Sequence, residues 1–251
     1  MKRRYLLPAS NNAMKVSLLN SVLLLPGAFF CLASPSIAAT MPALRLAAAS
    51  ESTSTPATAG AGAKLTFRRI FKSSTPEFIE ISVREDSDQS TYEIRQVDDD
   101  PEKSPFEVSA PLRAKMFELA AQLNHFQNQD LDVHRKIANL GEKTFRWEKG
   151  SEVHETVFNY TLNTAASQLL QIFEGLARQQ ELVMLLERRM KYDRLGINDA
   201  LLQFESDLNR KLLPEPQRAL PALDQIANDT RFVDIARQRA RSVAERIRHA
   251  S

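Results

Sequence analysis

The chain has 251 residues, with 33 Lys or Arg against 31 Asp or Glu, 43% hydrophobic and 25% charged residues, and a single cysteine, Cys31. Those values are near the averages for a globular protein and exclude a wholly disordered chain, a multi-span membrane protein and a disulfide scaffold. The net charge of +2 gives no global reason to expect nucleic acid as a partner.

Lys2, Arg3, Arg4 and Lys15 precede any acidic residue, and an apolar run follows from Leu18 to Ala33. With the small residues of Ser36-Ile37-Ala38, this order reads as a secretory signal peptide over residues 1–38, cleaved after Ala38 or Ala39. Met14 would also serve as a start. An uncleaved membrane anchor is the competing reading, but the run is short of the roughly 20 residues a span needs, and Pro26-Gly27 interrupts it. A lipidated Cys31 is disfavoured because the bulky Phe30 precedes it. The expected mature chain is periplasmic or secreted, has no thiol and carries no transmembrane span.

Residues 39–64 are rich in Ala, Ser, Thr, Pro and Gly and cannot bury enough apolar area to fold, so they read as a tether. Gly60 to Lys64 lacks the spacing and following hydroxyl of a phosphate loop. Strand signals start at Leu65 and break at Ser73–Pro76. They resume with the alternating Phe78–Arg84 and continue through Tyr92 and Ile94 to Val97, an antiparallel pattern with one wet face. Asp98–Pro101 ends that unit.

Ser109 caps a helix with Pro111 in its first turn and Leu112, Met116, Leu119, Ala120 and Leu123 at helical spacing, reaching Phe126. Gln127–Gly141 connects, with a helical turn expected around Val133–Leu140. Phe145 and Trp147 open a hairpin that turns at Lys149-Gly150-Ser151 and returns over Val153–Tyr160. Asn163 or Thr164 starts a long helix to Arg194, with a break expected near Arg178–Gln180. Gly196 and Asn198 separate it from a helix with Ala200, Leu201, Phe204, Leu208 and Leu212 inward, ended by Pro214 and Pro216. A short helix over 218–227 follows, then a last one capped by Asp229 or Thr230, with Phe232, Ile235, Ala236, Ala240, Val243 and Ile247 as its stripe. The order predicts an α+β fold: an antiparallel sheet from two strand-hairpin-then-helix units over 65–194, helices on one face, and about three C-terminal helices over 195–251.

No catalytic constellation emerges. His154-Glu155 resembles the start of a zinc-protease motif, but Phe158 stands where the second ligand should be and the segment reads as a strand. His125 and His134 lack a paired carboxylate pattern, and Gly150-Ser151 lacks the strand-turn-helix context of a nucleophile elbow. The acidic turns Asp86–Ser90 and Asp98–Asp100 lack the glycine and bidentate Glu of a calcium loop. No metal or cofactor is therefore expected.

Two surfaces remain. Trp147, Phe158 and Tyr160 could line a ligand groove, with core packing as the alternative. Arg237, Arg241 and Arg248 gather beside the stripe of the last helix and could dock an anionic partner, with local ion pairs to Asp234 and Glu245 as the alternative. The expected function is an exported, non-catalytic interaction or binding domain whose partner is a protein or envelope component. The rival is an extracytoplasmic hydrolase whose site forms only on folding.

Overall fold

The computed structural model describes residues 62–72 and 74–250; the expected signal peptide, Cys31 and all but the last three residues of the expected tether lie outside them. Among the described residues no helix is long and apolar enough to cross a membrane.

Six antiparallel strands form one sheet: β1 (Lys64–Ile70), β2 (Phe78–Arg84), β3 (Gln89–Arg95), β4 (Ser104–Glu107), β5 (Glu142–Lys149) and β6 (Glu152–Phe158), in the order β4-β3-β2-β1-β5-β6. The two-residue alternation read from the sequence fixes the faces. Leu65, Phe67, Ile79, Ile81, Val83, Phe145 and Phe158 all lie on one side and are buried. The opposite side carries charge. Arg68 and Lys103 both hold Glu80, at 2.8 and 2.7 Å, and Lys64 and Arg146 both hold Glu148, at 2.9 and 3.0 Å. Gly150, with φ +58, makes the β5–β6 turn in a region that a side chain enters only at a cost.

Helices α1 (Ala110–Gln122) and α2 (Thr164–Tyr192) cover the apolar face. Ser109 caps α1 through its hydroxyl, which accepts from the Leu112 N–H, and Asn163 caps α2 by accepting from the Ala166 N–H. Phe173 of α2 stacks on Phe67 at 5.2 Å, and Phe145 sits among Phe67, Phe126, Phe158 and Phe173. At 1.5 Å per residue α2 is about 43 Å long. Its second half enters another core, built with α3 (Ile197–Asn209), α4 (Leu220–Asn228) and α5 (Asp234–Ala250) around Leu186, Leu201, Phe204, Leu223, Val243 and Ile247. One helix thus belongs to both cores, and the fold is α+β with its C-terminal helices extending from α2.

Several local expectations give way to tertiary contacts. The sheet starts at Lys64, and Gly62 and Ala63 are drawn in with it: their N–H groups donate to the Asp86 and Glu85 carboxylates, and Ala63 is buried. β4, where no strand was expected, pairs with β3 at the sheet edge, a place that tolerates its Pro105; Phe106 meets Tyr92 edge-on at 5.7 Å. Helix α1 stops at Gln122 because Asn124, His125 and Phe126 take positive φ.

No helical turn forms over 133–140. Val133 N–H donates to the Tyr160 carbonyl at 3.0 Å, Asn159 takes Leu140 N–H and reaches the Ala138 carbonyl, and these ties hold the segment against the end of β6. Helix α2 is unbroken through Arg178–Gln180, where both Arg178 and Gln179 make tertiary bonds instead. Asp193, not Asn198, closes the turn before α3 by accepting from the Gly196 N–H; Leu212 lies beyond α3 and is exposed, and Leu213 takes its place in the core. Asp229 binds Arg231 in a turn, so α5 starts five residues later, at Asp234, and Ile235 of the expected stripe is exposed.

Candidate functional site

The residues singled out from the sequence are mostly spent on structure. Trp147 and Phe158 are buried, and the register puts them four pairs apart along the β5–β6 ladder, about 13 Å at 3.3 Å per residue; Tyr160 lies past the strand and is exposed. They do not converge on a groove. Arg248 reaches Asp224 of α4 at 2.6 Å, Arg241 donates to the Ala227 carbonyl at 3.2 Å, and Arg237 pairs with Asp234 on its own helix. On the same helix Arg239 and Arg246 both hold Glu205 of α3, at 3.4 and 2.6 Å. The arginines of α5 clamp the helical core together.

The histidines divide in two. His125 lies over Trp147 at 4.7 Å between ring centroids and His154 stacks on it at 5.5 Å; His154 Nδ1 is buried with no partner among the described residues. His134 is exposed, and its Nε2 meets Asp130 at 2.6 Å, which raises the imidazole pKa above its ordinary value through that bond and its charge. A cavity of about 610 Å³ beside this pair is lined by Asp132, Asn139, Glu142 and Asn159 among others, with no hydroxyl or thiol among its lining residues. Asp130 orients the His134 ring there. Asp86 is occupied by Arg84 and by the Gly62 N–H, which hold its carboxyl at about 2.

A larger cavity, about 690 Å³, opens where α1, α2 and the α3–α4 connection meet. Its volume is in the range of small-ligand sites. Leu112 and Leu119 of α1, Ile172 of α2, and Leu212 and Pro214 of the connection supply apolar surface. Gly175 lets the connection lie directly on α2: a Cβ there would stand 2.8 Å from Pro214 Cγ and 2.9 Å from the Leu212 carbonyl oxygen.

Two polar ties set this geometry. Arg178 Nε donates to the nearly fully buried Asp207 of α3 at 2.6 Å. Glu215, 2% exposed, joins three elements: its N–H donates to Gln179 Oε1 at 3.0 Å, and its Oε1 accepts from the Ser109 N–H at the head of α1, also at 3.0 Å. Arg218 lies 3.8 Å from the same carboxylate and pairs with Glu107 of β4.

Charge around the cavity is uneven. Lys115, Arg178, Arg210 and Lys211 line it against Glu174 and Asp207. Asp207 is taken by Arg178. Burial pushes the Glu174 carboxyl above its ordinary range, opposed by the Arg69 and Lys143 charges. Lys143 is itself buried, its ammonium donating to the Leu140, Gly141 and Asn159 carbonyls at 2.9–3.2 Å, and burial lowers its pKa. Arg210 and Lys211 are exposed, and their side chains have no ion-pair or hydrogen-bond partner among the described residues.

Lys211 has φ +57, a left-handed conformation, and the main-chain bonds around it (Leu212 N–H to Asp207 carbonyl, Lys211 N–H to Leu208 carbonyl, both 3.0 Å) are those of a Schellman helix end. Glycine usually holds that position. No signal in the sequence marked it, because the apolar spacing carries the helix on through Leu212. Arg178, Asp207, Gln179 and Glu215 gave none, because their partners are 29 to 106 positions away.

No protein-family model matches this chain, and no curated protein matches it.

Proposed function

We propose that this chain is an exported, non-catalytic binding domain whose ligand seat is the groove between α1, α2 and the α3–α4 connection. The observation that carries the reading is the groove itself: about 690 Å³, with apolar side chains from three elements and two cations at its rim whose side chains have no partner among the described residues. A built cavity with a few convergent polar groups is the usual form of a ligand site. Export rests on the basic start, the apolar run Leu18–Ala33 and the small-residue site at Ser36–Ala38.

Adding a panel of small amphiphiles to methyl-labelled protein is expected to move the resonances of Leu112, Leu119, Ile172 and Leu212. Shifts confined to other parts of the molecule would sink the assignment of the groove. N-terminal sequencing of protein recovered outside the cytoplasm is expected to start at Ala39 or Thr40; an intact Met1 or Met14 would overturn export.

A further inference from the structure

We propose, resting on the reading of the groove as the ligand seat, that it selects an amphiphilic anion: an apolar chain ending in a carboxylate, the chain on Leu112, Ile172 and Leu212 and the head group on Arg210 and Lys211. The charge arrangement disfavours the reverse polarity. Each carboxylate lining the groove already faces cations of this chain, Asp207 through Arg178 at 2.6 Å and Glu174 across from Arg69 and Lys143. Lys115 is engaged by Glu118 at 3.2 Å on its own helix. The two cations left over are adjacent in sequence, at the end of α3, beside the apolar Leu212 and Pro214.

A cation near a helix C-terminus is favourable by itself. That does not account for a lysine at φ +57, which costs free energy at a position where glycine would cost none. Strain of this kind is held by the surrounding structure and clusters at ligand sites. Arg210 adds a planar fork suited to a carboxylate, and the adjoining apolar surface lowers the local dielectric that would otherwise screen the pair. A neutral chain would use the floor alone; a cationic one would meet Arg210 and Lys211 as like charges.

The test titrates the full chain, below micellar concentrations, with dodecanoate, dodecanol and dodecyltrimethylammonium, following groove methyls by NMR and affinity by calorimetry. Dodecanoate is expected to bind about tenfold tighter than dodecanol, a difference of about 1.4 kcal/mol, and the quaternary amine more weakly still. The double variant R210Q/K211Q, checked for an unchanged fold by its amide spectrum, is expected to lose that tenfold for dodecanoate and to bind dodecanol as before. Equal affinity for dodecanoate and dodecanol at the groove methyls would overturn the anion selectivity while leaving the groove as ligand seat. Anion selectivity that survives R210Q/K211Q would overturn the assignment to these two residues. No response of the groove methyls to any of the three would bring down both readings.

Discussion

Replacing Lys211 by glycine separates what this residue costs the fold from what it supplies to the groove. At φ +57 a side chain crowds the following carbonyl, a penalty of about 1–2 kcal/mol that glycine does not carry. Glycine gives some of that back, because the unfolded chain gains about 0.4–1 kcal/mol of backbone freedom. The Lys211 side chain has no ion-pair or hydrogen-bond partner among the described residues, so its removal breaks none of their contacts, and the Schellman bonds to Asp207 and Leu208 are main-chain and survive. Relative to an alanine at the same place, which also lacks the charge, the balance is a stabilisation of about 0.5–1 kcal/mol, equivalent to roughly 1–4 °C in Tm for a domain of this size. Urea denaturation should show a higher midpoint with an unchanged slope, since the surface exposed on unfolding is the same. Lys211→Ala serves as the control: it keeps the strain and loses the favourable place of a cation at a helix end, about 0.3–1 kcal/mol, so its midpoint should fall slightly below that of the parent chain. A Lys211→Gly chain no more stable than the Lys211→Ala chain would refute the strain argument.

Two further outcomes follow from the polar ties. Glu215→Ala removes the carboxylate from the Ser109 N–H at the head of α1, leaving a part-buried donor without its partner; a loss of about 2–3 kcal/mol is expected by urea denaturation, and Glu215→Gln, which keeps an acceptor, should lose about half as much. A Glu215→Ala chain as stable as the parent would mean that this carboxylate does not join the two cores. At the Asp130–His134 pair, NMR titration should give His134 a midpoint above its ordinary 6.5, falling back toward 6.5 in Asp130→Asn. The His134 contribution to stability is fully present below 6.5 and is lost as pH rises through the raised folded value; the Asp130 contribution, its pKa lowered chiefly by the bond to His134, is present above its ordinary 3.8 and lost as pH falls through the lowered one. The pair therefore works best between about 4 and 6.5, and an unchanged His134 midpoint in Asp130→Asn would show that another group holds it.

The sequence by itself determined the elements whose signal is local. Two-residue alternation in Phe78–Arg84, the Gly150 turn, the caps Ser109 and Asn163, and the 3.6-residue stripes all lie within a few positions of one another, so pattern and backbone preference agree and the α+β class follows. The hydrophobic stripe also marked the core side of α1 and α2.

Only the tertiary structure decided where polar side chains would find partners. Helix α2 reads as broken near Arg178–Gln180, yet it runs through, and Arg178 and Gln179 find Asp207 and Glu215 from 29 and 36 residues away. Val133–Leu140 reads as a helical turn, but bonds to Asn159 and Tyr160, just past β6, outweighed a short helix that is marginal alone. The arginines of α5 find partners on other helices, Arg246 at Glu205, Arg248 at Asp224 and Arg241 at the Ala227 carbonyl, which no sequence spacing shows. The groove exists for the same reason. Its walls come from α1, α2 and the α3–α4 connection, and Arg210 and Lys211 stand apart as its rim, unpaired among the described residues, only once folding has paired the charges around them. Secondary structure depends on neighbours in sequence and can be read there; a cavity and its charge depend on neighbours in space.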